Sequence, residues 1–279
     1  MRVMCLLDLY FESDQEVITF CEQLVCLNKQ IELLWKTDKD WGNYIQIQQT
    51  EMTSSVIQAI AQSIVYVFIT YRLPKLIKRV IKEDFYYTNE DEIERILNLT
   101  NWIIEEGNNL KHVRINFKDL LLTMFSDLLI QSQTVHFDSV VNFRMNTFRR
   151  DLREIVGLAI DEFRQEEEHQ AFIELLRKYI ANKESKFDVI HVLQGPHFTF
   201  YKMNGKRFSK YDLKQMMKKE PLYIVGLHAE EFNLSPLIAM APKKIKIYGD
   251  NPSEPKTLTI INVFQERVDF LPYHQFPFP

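Results

Sequence analysis

Glycine is scarce in this chain of 279 residues, and its placement argues against two large groups of nucleotide-binding sites. Seven glycines occur: Gly42, Gly107, Gly157, Gly195, Gly205, Gly226 and Gly249. No two are close enough for a GxGxxG motif, and none begins a GxxxxGK[ST] loop. Phosphate-binding loops normally need clustered glycines so that backbone N–H groups can approach the anion. A Rossmann dinucleotide site or a Walker nucleotide site is therefore not expected.

Cysteine is equally scarce. Cys5, Cys21 and Cys26 form no CxxC pair, and an odd count suits neither a secreted disulfide framework nor a four-cysteine zinc site. The nucleophile motif GxSxG and the zinc motif HExxH are also absent. We therefore predict buried thiols in a reducing cytoplasm, and the sequence assigns no catalytic residue and no cofactor.

Long hydrophobic runs are missing as well. The apolar segment Val3–Leu7 is interrupted by Asp8 before the core of a signal peptide could form. The most apolar stretch, Val56–Thr70, is shorter than the roughly 20 residues that span a bilayer and contains Gln58 and Gln62. These features predict a buried helix, a cytoplasmic location and no membrane insertion.

The overall composition is that of a globular protein. Hydrophobic residues make up 46% and charged residues 26% of the chain, and the net charge of -4 argues against a generally basic nucleic-acid-binding surface. The periodicity predicts an α+β fold, with a helical middle region between a small N-terminal α/β unit and a C-terminal mixed α/β sheet. The predicted regions are 1–50, 51–184 and 185–271, followed by an irregular tail at 272–279.

Hydrophobic spacing and capping signals place the elements within these regions. In the N-terminal unit we expect strands at 2–11, 31–35 and 44–47 and a helix at 13–28. Three helices are expected to begin at capping signals, namely Ser55 with Gln58, Asn89 with Glu92, and Asn116. In the C-terminal unit the pattern predicts helices at 211–219 and near 237, and strands at 187–193, 197–202, 222–227, 244–248 and 257–261.

The helical segment from about 148 to 181 changes its apolar side along its length. The first half carries Leu152, Val156, Ile160 and Phe163, and the second half carries Phe172, Leu175, Leu176 and Tyr179. At about 100° per residue, Phe172 lies roughly 180° from Phe163. Either the helix breaks near 165–168, or one long helix contacts two packing layers. The absence of glycine and proline at the switch favours one continuous helix.

Three residues on this helix form the clearest pattern for a metal site. Glu166 and His169 have a spacing that lets both side chains reach one metal ion, and Glu162 lies one turn earlier. A di-metal bundle needs a second Glu-x-x-His and further carboxylates. The nearest match, Asp188-x-x-His191, falls in a predicted strand. The alternative is a solvated polar ridge between the two apolar stripes, and the spacing favours that alternative.

A basic segment with aromatic residues lies between 196 and 220. Seven basic and two acidic side chains give it a net charge of +5, and aromatic residues are interleaved with them. Such a segment can bind single-stranded nucleic acid through phosphate contacts and base stacking. Alternatively, the aromatics belong to the core of a hairpin whose outer face the lysines keep soluble. The residues of the predicted patch are Lys202, Lys206, Arg207, Lys210 and Lys214.

A second charged surface combines arginines with a nearby acidic stretch. Its predicted contact residues are Arg144, Arg149, Arg153, Asp161, Glu162 and Glu166. These charges can pair within and between helices. They can also form a face that binds a partner protein.

The segment 135–201 resembles a known family. Phe143-Arg144, Phe148-Arg149, the run Ala159–Phe163 and the run Gln170–Tyr179 are similar to the YtxC-like sporulation proteins of spore-forming Firmicutes. The run Leu237–Ile245 is similar too. The resemblance implies a sporulation-associated cytoplasmic protein, and it brings no established activity, cofactor or catalytic residue. Members of this family often end in a cysteine-containing segment, which 271–279 lacks.

Three hypotheses follow from the residues and the resemblance. The first is a non-enzymatic sporulation factor that acts through protein contacts made by the charged surface of 144–169. The second is a nucleic-acid-binding regulator that uses the basic hairpin and helix of 197–219. The third, a metal-dependent enzyme, rests only on Glu162, Glu166 and His169.

Overall fold

The computed structural model of the chain describes residues 5–38, 42–49, 51–106, 116–144, 146–228 and 230–278. It divides into two units, Met1–Arg164 and Gln165–Pro279. Each unit has its own hydrophobic core and a mixed four-stranded sheet accompanied by helices. The predicted α+β fold class is therefore confirmed.

The first unit combines a sheet of order β2-β3-β1-β4 with a largely helical remainder. Its strands are β1 (Cys5–Phe11), β2 (Glu32–Asp38), β3 (Gly42–Gln49) and β4 (Thr134–His136). Its helices are α1 (Asp14–Leu27), α2 (Ser54–Val67), α3 (Leu73–Asp84), α4 (Glu90–Glu106), α5 (Phe117–Gln131) and α6 (Phe137–Arg144). The long helix α7 (Asn146–Ala181) begins here and continues into the second unit.

Alternation along the strands gives the first sheet two different faces. Leu9 and Ile45 are Cα partners, and both are buried in the first core. The neighbouring partners Tyr10 and Tyr44 lie on the opposite, half-buried face. On that face Tyr44 donates a hydrogen bond to Asp8, and burial together with this bond raises the pKa of Tyr44 to about 12. Since side chains alternate across a strand, the apolar face packs on helices while the other face carries polar groups.

Side-chain caps explain where several of these helices begin. Asn89 accepts hydrogen bonds from the backbone N–H groups that follow it, and Asn116 caps α5 through the N–H of Asp119. Both predicted starts are confirmed. The predicted capping box at Ser55 is wrong, because Thr53 is the N-cap of α2 and accepts from the N–H of Val56. Thr and Ser are both good N-cap residues, so composition alone could not choose between them.

A continuous helical run of 31 residues, Ser54–Asp84, contains α2, a π-helical turn at Phe68–Arg72 and α3. It is long and apolar enough to cross a membrane by length and composition, although 56% of its most apolar window is buried inside the unit. Pro74 lies in the first turn of α3, where its missing N–H costs little, and the run continues past it. The burial of this run is that of a core helix. A buried helix was the expectation from the presence of Gln58 and Gln62 in the apolar stretch.

The π-helical turn presents Arg72 to two carboxylates from other helices. The Arg72 guanidinium lies 2.6 Å from Oε1 of Glu16 on α1 and 2.6 Å from Oδ1 of Asp138 on α6. Glu16 is only 3% exposed. Burial alone would lower the pKa of Arg72, but the hydrogen bonds and the charge of Glu16 outweigh it and raise the pKa. Arg72 thus ties α1 and α6 to the long helical run.

The second unit contains a sheet of order β6-β5-β7-β8. Its strands are β5 (Val189–Leu193), β6 (Thr199–Lys202), β7 (Lys244–Gly249) and β8 (Val268–Pro272). Its helices after α7 are α8 (Lys210–Lys218), α9 (Ser235–Met240) and α10 (Pro255–Phe264), with 3₁₀ turns at Leu222–Val225, Gln265–Arg267 and Tyr273–Gln275. Strand β7 pairs in parallel with both β5 and β8.

Two strands predicted in this unit are wrong. Residues 222–227 form a 3₁₀ turn that ends at Gly226 with a φ of 70°. In this turn Leu222 and Val225 are buried while Tyr223 is exposed. The two buried positions are three residues apart, whereas buried positions in a strand alternate. Residues 257–261 belong to α10, whose buried positions follow the helical spacing of three and four. A short apolar run has no unambiguous period, and this ambiguity explains both errors.

Helix α7 is continuous over 36 residues, so the favoured alternative of one unbroken helix is confirmed. Its first half is buried in the first core up to Phe163, and its second half is buried in the second core at Ile173, Leu176 and Ile180. The predicted second stripe was partly wrong, since Leu175 is 45% exposed. On a helical wheel at about 100° per residue, the buried stripe turns by roughly a quarter of a circle instead of a half.

The buried ion pair gives a stability prediction. Glu16→Ala leaves the Arg72 guanidinium with only Asp138 as a partner, so the free energy of unfolding should fall by about 2–4 kcal/mol. Urea denaturation measures this change. The matched control is Glu94→Ala, which removes an exposed pair with Lys78 and should cost less than about 1 kcal/mol. Equal losses in the two variants would show that the Arg72 pair has no special role.

The continuity of α7 gives a second prediction. Glu168 is exposed in the polar segment between the two stripes, so Glu168→Ala should leave stability nearly unchanged. Glu168→Pro removes a helical hydrogen bond and introduces a steric clash, and it should cost about 3 kcal/mol or more. Thermal unfolding of both variants measures the difference. If the proline variant were as stable as the alanine variant, residues 165–168 would not be helical.

Candidate interaction surfaces

The predicted metal ligands lie on the polar part of α7. Glu162, Glu166 and His169 are all exposed, and no group of three potential ligands of the His, Cys, Asp and Glu types converges within the described ranges. His191 lies on β5, whereas Asp188 precedes that strand and pairs with Lys243. The metal site stays a prediction that this geometry does not favour.

The cysteines supply no activated nucleophile among the residues described. Cys21 and Cys26 are free thiols, and the side chain of Cys5 lies outside the described part of the chain. Burial, with a smaller effect from Glu22, raises the pKa of the Cys21 thiol. A raised pKa keeps the sulfur protonated at neutral pH and therefore weakly nucleophilic.

The arginines of the predicted charged surface contact the end of α3 instead of the acidic stretch. Arg149 pairs with Glu83 at 3.2 Å and with Asp84 at 2.9 Å. The guanidinium of Arg153 lies 5.8 Å from the centroid of the Phe85 ring. These contacts are the interhelix pairing that was one of the two expected alternatives.

The acidic part of the same surface is different. Asp161, Glu162 and Glu166 are exposed on α7, and the side chain of Arg144 lies outside the residues that the structure describes. These exposed acidic side chains stay a predicted contact surface. Arg149 and Arg153 contact other residues of the fold.

The basic patch runs from the end of β6 into α8. Lys206, Arg207 and Lys210 are exposed. The Lys202 ammonium lies 5.2 Å from the Phe208 ring centroid, and Lys214 lies 3.7 Å from a carboxylate oxygen of Glu230. Three of the five predicted side chains thus present their charge to solvent, and within the described part of the chain none of these three forms an ion pair or a ring contact.

The aromatic residues of this segment are divided between two environments. Phe198, Phe200 and Phe208 are buried in the second core, as the hairpin-core alternative expected. Tyr201 lies on the other face of the sheet, where its ring contacts Phe276 at 5.0 Å and Phe278 at 6.3 Å. The three phenylalanines therefore cannot stack on bases, and Tyr201 is covered by the C-terminal tail.

The tail, defined here as residues 273–278, packs on a polar and aromatic face of the second sheet. On this face the ring nitrogen Nδ1 of His191 lies 2.9 Å from the Tyr248 hydroxyl, within hydrogen-bond distance. Burial, with a smaller effect from Lys246, lowers the pKa of His191. Phe278 contacts the His191 ring at 5.0 Å, and Phe276 contacts the Tyr248 ring at 5.2 Å. The sequence predicted this tail as irregular and gave no sign of its packing.

A groove between α2 and α5 is the other surface that the sequence did not predict. Three adjoining depressions have volumes of about 530, 460 and 510 Å³; the first two share Ile57 and Ile130, and the last two share Thr123 and Asp127. Among the residues that the structure describes, the charged lining residues are Asp119 and Asp127, and no lysine, arginine or histidine lines the depressions. The described lining therefore combines apolar side chains with an acidic rim formed by Asp119 and Asp127.

Helix α5 is apolar on both sides, and this could have indicated the groove. One side is buried through Phe117, Leu121 and Phe125. On the outer side Leu120 is 38% and Ile130 is 67% exposed. Exposed apolar residues beside a buried apolar stripe indicate a surface for a further contact.

The contact between the tail and the sheet gives a third prediction. Gly205 has a φ of +81°, and a Cβ atom there would lie 2.7 Å from the ring of Phe278. Gly205→Ala should lower the free energy of unfolding by about 1–2 kcal/mol and increase amide hydrogen exchange in residues 273–278. In the control Gly195→Ala, the nearest atom would lie at 3.5 Å, and neither quantity should change. Unchanged exchange in both variants would contradict the tail packing.

Comparison with known proteins adds family information to this geometry. The model of the YtxC-like family matches residues 58–269. A protein of Bacillus subtilis (strain 168), described as uncharacterized protein YtxC, is 32% identical over 203 residues, which cover 71% of this chain and 70% of that protein. No solved structure matches the chain.

Proposed function

This chain belongs to the YtxC-like family, and from that premise we propose that it is a sporulation-associated cytoplasmic protein that acts by binding another protein. The link to sporulation comes from the family resemblance of 135–201 and 237–245. The cytoplasmic location is supported by the free thiols Cys21 and Cys26, which suit a reducing compartment.

The exposed outer side of α5 is the observation that carries the proposal. Its fifteen residues form a helix about 22 Å long, so the groove beside it can hold about four turns of a partner helix. Ile57, Leu122 and Ile130 offer apolar contacts along this length. Grooves of this kind bind amphipathic helices through apolar residues spaced three and four apart.

The charge of the rim selects the partner. Asp119 and Asp127 are the charged groups among the described residues that line the groove, so a partner helix with lysine or arginine beside its apolar stripe is complementary. The exposed acidic residues of α7, Asp161, Glu162 and Glu166, have the same sign and suit the same class of partner. We therefore infer that the partner contributes a basic amphipathic helix.

Binding of a designed peptide tests this proposal. A fluorescent 18-residue amphipathic peptide with lysines beside its leucine stripe should bind, and its twin with glutamates in place of the lysines should bind at least tenfold more weakly. Ile130→Asp should weaken binding of the basic peptide by at least tenfold, because it places a charge among the apolar side chains that line the groove. The control Ile224→Asp alters an equally exposed isoleucine elsewhere and should have no effect.

Three outcomes would contradict the proposal. They are equal binding of the two peptides, equal effects of the two aspartate variants, and a dimer of the chain that Ile130→Asp dissociates. The dimer would show that a second copy occupies the groove. In a spore-forming host that lacks its own family member, the Ile130→Asp chain should also restore spore yield less well than the Ile224→Asp chain.

A further inference from the structure

One face of the second sheet packs on the core of the second unit, and the opposite face points away from that core. Ile190, Val192, Ile245 and Ile247 are buried in the core. Their neighbours in sequence point the other way, and the register pairs His191 with Tyr201 on β6 and with Lys246 on β7. Cα partners share a face of a sheet, so these three side chains form a row across the middle of the second face. Tyr248, two residues beyond Lys246, lies on the same face.

Positive charges border this row of rings. Arg207 forms a bridge pair with Tyr201, which places it on the same face beside β6, and it is exposed. Lys246 lies next to His191 in the middle of the sheet, and its charge contributes to lowering the pKa of His191. Lys244, two residues earlier, pairs with Asp269 at 2.9 Å. Asp269, the Cα partner of Lys246 on β8, lies on the same face and has its charge paired with Lys244. The face thus combines aromatic rings with Lys246 in the middle of the sheet and Arg207 at its β6 side.

The tail covers these rings with two of its own. Phe276 contacts Tyr201 and Tyr248, and Phe278 contacts His191 and Tyr201, with ring centroids 5.0–6.3 Å apart. Gly205 leaves the space that Phe278 fills. Among the described residues, no hydrogen bond joins residues 276–278 to β5, β6 or β7. The cover is therefore held by ring contacts, which other planar rings can replace.

We propose that this face binds single-stranded nucleic acid and that the tail is a detachable cover occupying the positions of the bases. Bases stack on Tyr201, Tyr248 and His191 in place of Phe276 and Phe278, as they do on the aromatic faces of other nucleic-acid-binding sheets. Arg207 and Lys246 contact the phosphates. This site shares Tyr201 and Arg207 with the predicted basic segment, but it uses neither the phenylalanines of that segment, which lie in the core, nor its helix.

The tail competes with any ligand from within the same chain. A short tether keeps its effective concentration in the range of millimolar, so the intact chain should bind oligonucleotides weakly. Removing the two rings abolishes this competition without removing Tyr201, Arg207 or Lys246. Weak binding by the intact chain and strong binding by a tail variant together are the expected signature.

The central experiment measures the fluorescence anisotropy of labelled 12-nucleotide oligo-U and oligo-dT at low salt. The double variant Phe276→Ala with Phe278→Ala should bind at least tenfold more tightly than the intact chain. Tyr273→Ala is the matched control, since Tyr273 belongs to the same tail, is half exposed and makes no ring contact with the sheet. It should bind as weakly as the intact chain. A folded double variant that binds no more tightly than the control overturns the proposal.

A second set of variants tests the cations. In the double-variant background, Arg207→Ala with Lys246→Ala should weaken binding at least tenfold and make it less dependent on salt, because phosphate contacts release counterions. Unchanged affinity and salt dependence would overturn the proposal. So would self-association of the double variant, because the uncovered face would then bind another copy of the chain.

The intact chain provides a measurement that does not depend on the double variant folding. Saturating oligo-U should increase amide hydrogen exchange in residues 273–278 and decrease it in β5 and β7, because the bases replace the tail. Bound oligo-U with unchanged exchange in the tail would overturn the proposal. The groove variant Ile130→Asp should behave like the intact chain in this assay, so the protein-binding proposal and this one can fail independently.

Discussion

Helix α7 imposes the constraint on which the two cores depend. One unbroken helix supplies the first core up to Phe163 and the second core from Ile173 onward, with a polar segment between them. Each residue turns a helix by about 100°, so adding or removing one residue in that segment would change the angle between the two stripes on the helix by the same amount. The polar segment, whose own side chains are exposed, thus sets the angle between the two buried stripes of α7.

In both sheets, side chains alternate between an apolar face that packs on the core and an opposite face. The two sheets differ in which residues lie on that opposite face. In the first unit, Tyr44 and Gln46 donate hydrogen bonds to Asp8, so polar groups on that face satisfy one another. In the second unit the corresponding face carries rings as well as charges, and the tail covers it with Phe276 and Phe278. An aromatic face left open to water would be costly, and a cover made of rings removes that cost while remaining exchangeable.

The two proposed surfaces are the outer side of α5 and the aromatic face of the second sheet, and they differ in how their apolar groups are covered. Helix α5 has more apolar surface than its own core can bury, which leaves Leu120 and Ile130 exposed beside an acidic rim. In the second unit, the rings of the tail cover a sheet face that also carries Lys246 in its middle and Arg207 at its β6 side. The first is suited to a basic amphipathic helix and the second to stacked bases. Membership of the YtxC-like family is compatible with either activity.

Sequence alone determined the features that depend on neighbouring residues: the caps at Asn89 and Asn116, the stripe of α7 up to Phe163, and the lack of a glycine-rich phosphate loop. Tertiary structure decided which apolar or charged residue meets which partner. Periodicity shows that Leu120 shares a helix with Phe125 and that Tyr201 alternates with Phe200, but it does not show which face is covered. Coverage depends on segments far away in the chain, such as Glu83 and Asp84 for Arg149 and Phe276 for Tyr201.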